Sequence, residues 1–433
     1  MKLDPLLFFY AAPLVAIWTG YAVRRRRLEM QSLATHRESL EAGLSEPASL
    51  HPAFDSARCI GCRACVNACP EGNILGIIGG KAALIEPANC IGHGACEAAC
   101  PCGAISLVLG TAKRGVDIPH VAPDFQTNVP GIYVAGELGG MGLIRNAIEQ
   151  GRQAMVEIAK RGGMGGGGLD VVVVGAGPAG ISASLAAIER KLRYVTLEQE
   201  TLGGTVSHFP RGKVVMTAPA TLPIVGRTRF KEVGKEKLLA FWQKITRDTG
   251  LRINEQERVQ QVIPEAGGFR VVTTRAQYRT RAVLLAIGRR GTPRKLGVPG
   301  EEQSKVVYRL IDAAQYRGQR VLVVGGGDSA LEAAASLAEE PGTTVTLSYR
   351  SKAFSRAKPK NRARVDAAVA DGRLRLMLGS EVAAVGTDRV RLTIDGRPVE
   401  IGNDAVVVCA GGILPTDFLK GIGIEIETKY GTA

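Results

Sequence analysis

Val171-Val-Val-Val-Gly-Ala-Gly-Pro-Ala-Gly180 is the stretch on which the fold turns. Four consecutive valines predict a strand buried on both faces. Three glycines follow at G-x-G-x-x-G spacing, and an apolar-periodic helix continues to about Lys191. A second strand, Tyr194-Val-Thr-Leu197, then ends at Glu198. In this order Gly175 allows a tight turn, Gly177 lets the backbone approach a pyrophosphate, and Gly180 lets the helix close on the strand. Glu198 is placed to accept hydrogen bonds from both ribose hydroxyls of an adenosine. A glycine pattern alone is weak evidence; one with strand, helix and acid in register is strong.

The pattern recurs at Val321-Leu-Val-Val-Gly-Gly-Gly-Asp-Ser-Ala330, which puts Gly325, Gly327, Asp328 and Ser329 at a second dinucleotide turn. The strand that follows, Thr344–Tyr349, leads into Arg350 rather than an acid, with Lys352 and Arg356 close behind. An acid would repel a 2′-phosphate, whereas an arginine can clamp one. Arg350 and Arg356 therefore favour NADPH over NADH, the plainer reading being an exposed basic loop.

Two such Rossmann units, with Ala282-Val-Leu-Leu-Ala-Ile-Gly288 between them, resemble the flavoproteins of the thioredoxin-reductase-like group. Leu202-Gly203-Gly204-Thr205 is similar to the segment that runs along the flavin there. Asp404-Ala-Val-Val-Val-Cys-Ala-Gly-Gly412 is similar to the return from the NADPH domain to the FAD domain. The resemblance covers residues 169–433 and implies FAD and NADPH as cofactors. It also implies disulfide reduction, but no Cys lies between Pro299 and Gly402, and Cys409 is the single thiol of the two Rossmann domains. A dithiol mechanism is therefore not expected.

Such flavoproteins close on a Pro-Gly-Ile-Tyr-x-x-Gly-Asp strand, and the chain stops at Ala433 before one occurs. Val129-Pro-Gly-Ile-Tyr-Val-Ala-Gly-Glu137 stands upstream instead, with Gly136 and Glu137 at the flavin-contacting positions. A helix follows, with Ile144, Ala147, Ile148, Gly151, Met155 and Ile158 on one face. The order implies a circular permutation, tied back by the glycine run 162–168; the alternative is an unrelated linker over 111–160 with a chance match.

Residues 59–74 and 90–105 are two copies of one unit, identical at 10 of 16 positions. The first copy has the C-x2-C-x2-C-x3-C-P spacing of a bacterial two-cluster ferredoxin, in which the fourth Cys serves the other cluster. One cluster would take Cys59, Cys62, Cys65 and Cys100. The other would take Cys69, Cys90, Cys96 and His93, which replaces a Cys. That site holds either an imidazole-ligated [4Fe-4S] cluster or a [3Fe-4S] cluster. Zinc sites bring together two separated ligand pairs, a pattern this crowded run does not follow. Cys102 and Cys409 read as structural.

Residues 5–23 carry no charge and run into Arg24-Arg25-Arg26-Arg27. Nineteen helical residues reach about 28 Å, close to the ~30 Å of a bilayer core. The pattern predicts a single-pass transmembrane anchor rather than a cleaved signal, with the arginines on the cytoplasmic side. The expected location is the cytoplasmic membrane, soluble domains inside. The formal charge of +14 suits an anionic surface, an acidic redox partner or NADPH phosphates. No aromatic-basic interleaving points to nucleic acid.

The expected fold class is α/β: two Rossmann-like domains for FAD and NADPH, a small α+β dicluster ferredoxin domain and one transmembrane helix. The expected organisation is anchor and basic flank 1–28, linker helix 29–52, ferredoxin-type domain 53–110, flavin-closing segment 111–161, glycine linker 162–168, FAD domain 169–298, NADPH domain 299–402 and return 403–433. Hydride transfer needs no side-chain acid or base, so no catalytic residue is nominated. A flavin converts a two-electron hydride into the single electrons that clusters carry. The expected activity is a membrane-anchored NADPH oxidoreductase passing electrons to a quinone or redox protein. The alternatives are a ferredoxin–NADP reductase-like enzyme running toward NADPH, and a non-catalytic electron-transfer or sensing subunit. A homodimer is an admissible assembly.

Overall fold

A computed structural model describes residues 5–41, 44, 46–47, 50–90, 92, 94–112, 115–140, 142–160, 168–216, 219–228, 233–289, 292–354, 357–413 and 415–431; of residues 5–11, 216 and 292 it describes only the backbone. The expected roles of His93 and Arg356, and the glycine linker over 162–167, fall outside the described residues. The chain divides into two compact units. One comprises Met1–Arg114, Ala353–Lys358 and Tyr430–Ala433; the other comprises Gly115–Lys352 and Pro359–Lys429.

In the first unit the expected anchor and linker form one helix, Pro5–Glu41, with Pro13 inside it. Among the described residues no helix is long and apolar enough to cross a membrane. Much of the uncharged run, residues 5–11, has side chains outside that description. The strand His51–Phe54 pairs antiparallel with Ile105–Val108, so the small domain begins two residues before the expected boundary. Leu75–Ile78 and Lys81–Leu84 form a hairpin.

The sequence repeat is also a backbone repeat. Gly61 and Gly92, Arg63 and Gly94, and Gly72 and Gly103 all have positive φ at matching positions. Arg63 keeps the left-handed conformation without a glycine, at a cost on the order of 1–2 kcal/mol. Short helices Ala64–Ala68 and Ala95–Ala98 follow at the same place in each copy. Ile74, Leu75, Ile77 and Ile105 pack with Cys65 and Cys96 into one small core.

The second unit contains a seven-stranded sheet. Its path runs Ile253–Asn254, Tyr194–Leu197, Leu169–Val174, Gln277–Leu285, Gly268–Thr273 and Val259–Glu265. The seventh strand, Ile132–Val134, pairs parallel with Val283–Leu285 on the edge away from Leu169–Val174. Val171, Val172 and Val173 are fully buried, as a parallel strand covered on both faces requires. The helix Ile144–Lys160 lays Ala154, Met155 and Ile158 against Ala179, Ala183 and Ala186 of the helix Pro178–Glu189.

A five-stranded parallel sheet has the order Val306–Val307, Ala405–Val408, Arg320–Val324, Thr344–Tyr349 and Leu374–Leu378. Ala405–Val408, expected at the head of the return, is thus an inner strand of this second sheet. All four of its residues are buried, and such a strand needs a neighbour on each edge. The helix Thr416–Gly421 comes back to the first sheet's core, where Leu419, Ile422 and Ile424 are buried. Ile426–Lys429 pairs antiparallel with Val116–Pro119.

Candidate functional site: two glycine turns and a paired set of thiols

At the first turn, a Cβ on Gly175 (φ +106°) would stand 2.5 Å from the Ala286 carbonyl oxygen, and one on Gly180 would stand 1.8 Å from that of Gly175. Strand, turn and helix therefore meet with backbone against backbone. Gly177 differs: a Cβ there would meet nothing within 4 Å. It caps Pro178–Glu189 in an extended conformation, so the positive end of a 12-residue helix opens onto that space.

Glu198 is 5% exposed, and its carboxylate accepts the Ala176 N–H at 2.7 Å and the Glu200 N–H at 2.9 Å. Burial pushes its carboxyl pKa up, and the two N–H donors partly offset that rise. The acid thus holds the turn in place. Gly203 donates its N–H to the Ala176 carbonyl at 2.9 Å. A Cβ on Gly204 would stand 3.2 Å from Gly177 Cα, with Thr205 next in the short turn Gly204–His208.

The upstream segment joins the same place. A Cβ on Gly136 (φ +85°) would stand 3.0 Å from Ala179 Cβ, and the Gly136 N–H donates to Gln150 Oε1 at 2.8 Å. The Glu137 carboxylate lies 3.8 Å from the Cβ position of Gly288. Arg289, next in chain, donates to the Asp117 carbonyl at 3.0 Å; burial lowers its pKa while Glu137 and Asp117 oppose the fall. Gln150, Gly288 and Arg289 escaped the sequence reading. Only Gly288 left a signal, as the glycine ending a buried strand.

At the second turn, a Cβ on Gly325 (φ +143°) would stand 2.4 Å from the Cys409 carbonyl oxygen, and one on Gly327 would meet nothing within 4 Å. A Cβ on Gly326 would sit 2.3 Å from the Tyr349 ring, which lies over the turn. Asp328 Oδ1 accepts from Asn361 Nδ2 at 2.7 Å, and Ser329 is exposed in the first helical turn. Arg350 is exposed just past its strand.

A chain of polar contacts joins the two turns' surroundings. Lys213 Nζ meets Glu332 Oε2 at 2.7 Å, and Glu332 Oε1 accepts from Asn361 at 3.2 Å. Glu200 takes both Arg309 at 3.2 Å and the His208 imidazole, which holds its carboxyl below the usual range. His208 is thereby in contact with Glu200, and Arg211 reaches Asp312 at 3.9 Å.

Six of the thiols form two neighbouring sets. Cys65 feels Cys59 and Cys62, whereas Cys96 feels Cys90 and Cys69. Burial raises the thiol pKa of Cys65, Cys90 and Cys96. Cys100 is lowered, chiefly by the Ala104 N–H, which donates to its sulfur at 3.3 Å. Cys69, Cys90 and Cys96 line a small, partly open hollow with Pro52, Ile74, Leu75 and Leu107. Soft sulfur donors around an apolar hollow fit an iron–sulfur group. Among the described residues no three His, Cys, Asp or Glu side chains close around a single ion. A multi-iron group is bulkier and keeps its thiolates further apart.

Residues 172–432 match the family described as pyridine nucleotide-disulphide oxidoreductase, and residues 51–101 match a 4Fe-4S dicluster domain. A ferredoxin–NADP reductase of Ignicoccus hospitalis is 28% identical over 269 residues, covering 60% of this chain and 83% of the relative. Bacilliredoxin reductase Bdr of Bacillus subtilis is 26% identical over 267 residues, with 60% and 82% covered. Among solved structures, bacillithiol disulfide reductase Bdr (YpdA) from Staphylococcus aureus has a TM-score of 0.54 at 25% identity, covering 59% of this chain and 80% of that one.

Proposed function

The chain belongs to the pyridine nucleotide-disulphide oxidoreductase family, and from that premise we propose that it is an FAD-dependent NAD(P)H oxidoreductase exchanging electrons with a further acceptor through iron–sulfur clusters. One observation carries the reading. Gly136, Gly175–Gly180, Glu198, Gly203–Gly204 and Gly288 converge at one sheet end, and a second open glycine turn lies in the same unit. Gly177, Glu198, Gly203, Gly204 and Thr205 would hold FAD, with Gly136 and Glu137 closing over it. Gly325, Gly327, Asp328, Ser329, Arg350 and Arg356 would hold NADPH. Bound flavin supplies the exchange between a hydride and single electrons.

The flavin-closing segment is read as a circular permutation. The parallel pairing of Ile132–Val134 with Val283–Leu285 supports this, as does the contact of Gly136 with Ala179. Cys59, Cys62, Cys65 and Cys100 would hold one cluster, and Cys69, Cys90, Cys96 and His93 the other. Membrane anchoring through residues 5–23 draws support from Leu14, Val15, Ile17, Trp18, Tyr21 and Val23, all more than half exposed ahead of four arginines. A single-pass placement in the cytoplasmic membrane, soluble units inside, follows from that charge. The acceptor would be a quinone or a redox protein.

Flow toward NADPH is the second reading, favoured by relatives named ferredoxin–NADP reductase. Anaerobic titration of the purified protein with NADPH tests the first, following flavin absorbance and cluster EPR together. Bleached flavin with rising cluster signals is the expected result. Bleached flavin with silent clusters would reverse the direction or make the clusters structural; flavin that NADPH never bleaches would overturn the enzyme reading.

A further inference from the structure

The first unit carries its charges unevenly around the two thiol sets. The turn of the hairpin Leu75–Leu84 lies against the long helix just past its arginine run. Gly79 donates its N–H to Glu29 Oε1 at 2.7 Å, and a Cβ on Gly80 would stand 3.7 Å from an Arg25 guanidinium nitrogen. Deeper in, a Cβ on Gly76 would stand 2.6 Å from Ser32 Oγ, so helix and hairpin are in close contact over two turns.

The same hairpin turn grips the first thiol set. A Cβ on Gly61 would stand 2.1 Å from the Gly80 carbonyl oxygen. Lys81 Nζ donates to the Cys59 carbonyl at 2.7 Å, and the Ala82 N–H donates to Cys59 Sγ at 3.4 Å. Arg58 lies over the other edge, its guanidinium 3.2 Å from the Cβ position of Gly103. Arg24–Arg27, Arg58 and Lys81 are exposed, as are Cys62 and Ile60, the latter 68%. Two acids lie among them, Glu29 accepting from the Gly79 N–H and Asp55 from those of Ala57 and Arg58, so the six basic side chains leave this edge positive. Among the described residues, Glu71 is the charged side chain lining the second set's hollow, and Glu97 is exposed on the short helix beside Cys96.

We propose that the Ile60–Cys62 edge, with Arg58, Lys81 and Arg24–Arg27, lies on an anionic lipid surface. The cluster held by Cys59, Cys62, Cys65 and Cys100 would then be the one at headgroup level. This rests on the membrane association proposed above and adds which cluster faces a membrane-borne acceptor. Basic residues near a surface each add about 1 kcal/mol of attraction to anionic lipid. The acidic edge at the second set is repelled by the same surface.

The test uses the full-length protein with both clusters, reduced and mixed with phosphatidylcholine–phosphatidylglycerol vesicles bearing gadolinium chelates on the headgroups. Flotation and EPR power saturation are read on one sample. Cys59→Ser and Cys90→Ser assign the two signals, whether each variant shifts its cluster or loses it. The expected result is a several-fold rise in the saturation power of the signal altered by Cys59→Ser, with the other signal unchanged. Arg25→Glu with Arg58→Glu should reduce that rise. A rise in the Cys90→Ser signal instead, or in neither while the protein floats, would overturn the proposal. Protein that does not float would remove the membrane reading and this inference with it.

Discussion

Gly151 sits in the middle of a helix, directly over the Ala179 carbonyl: a Cβ would stand 2.1 Å from that oxygen and 2.9 Å from its carbon. The contact fastens Ile144–Lys160 to the helix that opens on the first glycine turn. In a solvent-facing helix, Gly→Ala would gain up to about 1 kcal/mol. At Gly151 the sign reverses. Gly151→Ala should destabilise the protein by about 1–3 kcal/mol, the usual cost of overpacking, and release flavin. Thermal melting and the flavin-to-protein absorbance ratio check this.

Gly177 and Gly180 separate binding from folding. Gly180→Ala collides with the Gly175 carbonyl and should give little folded protein. Gly177→Ala meets nothing within 4 Å in a backbone conformation open to alanine. Its stability should stay within about 0.5 kcal/mol of the parent while FAD affinity falls. Apoprotein melting and FAD titration separate the two effects.

Arg350 follows the second unit's strand where an acid would select NADH. A hydrogen bond to a charged group contributes about 1.5–3 kcal/mol. Arg350→Ala should therefore raise the NADPH KM at least roughly tenfold and leave the NADH KM nearly unchanged. Equal changes for both nucleotides would show that Arg350 does not read the 2′-phosphate.

Asp404 accepts three hydrogen bonds from Arg320: from the backbone N–H at 2.8 Å, Nε at 3.0 Å and Nη2 at 2.6 Å. The pairing pulls its carboxyl to about 2. A carboxyl made more acidic by folding stabilises the fold above its unfolded pKa of about 3.9. That contribution is lost as pH falls through about 2. The side chain is 38% exposed, so screening holds the effect to about 1 kcal/mol or less. Asp404→Asn should lower stability by that amount at pH 7, and the difference from the parent should shrink between about pH 4 and 2. Denaturant titrations across that range measure it.

Elements ruled by their own neighbours were legible. The valine run, the two glycine turns and the helix after Leu143 emerge where the periods place them. Gly151 was readable as part of an apolar face, yet nothing local says that only glycine fits. Gln150 and Arg289 have no motif; they matter because Gly136 and Glu137 arrive beside them.

The sequence alone determined the strands beside the two glycine turns, the turns themselves and the thiol spacing, because each is set by sterics or ligand geometry within a few residues. Only the tertiary structure decided which edge Ile132–Val134 joins, that Ala405–Val408 lies inside the second sheet, and that Glu29 meets Gly79. Those outcomes depend on which distant backbone groups and side chains pack together. Many strand and helix faces of equal local quality could compete for the same partner, and burial of the whole core selects among them.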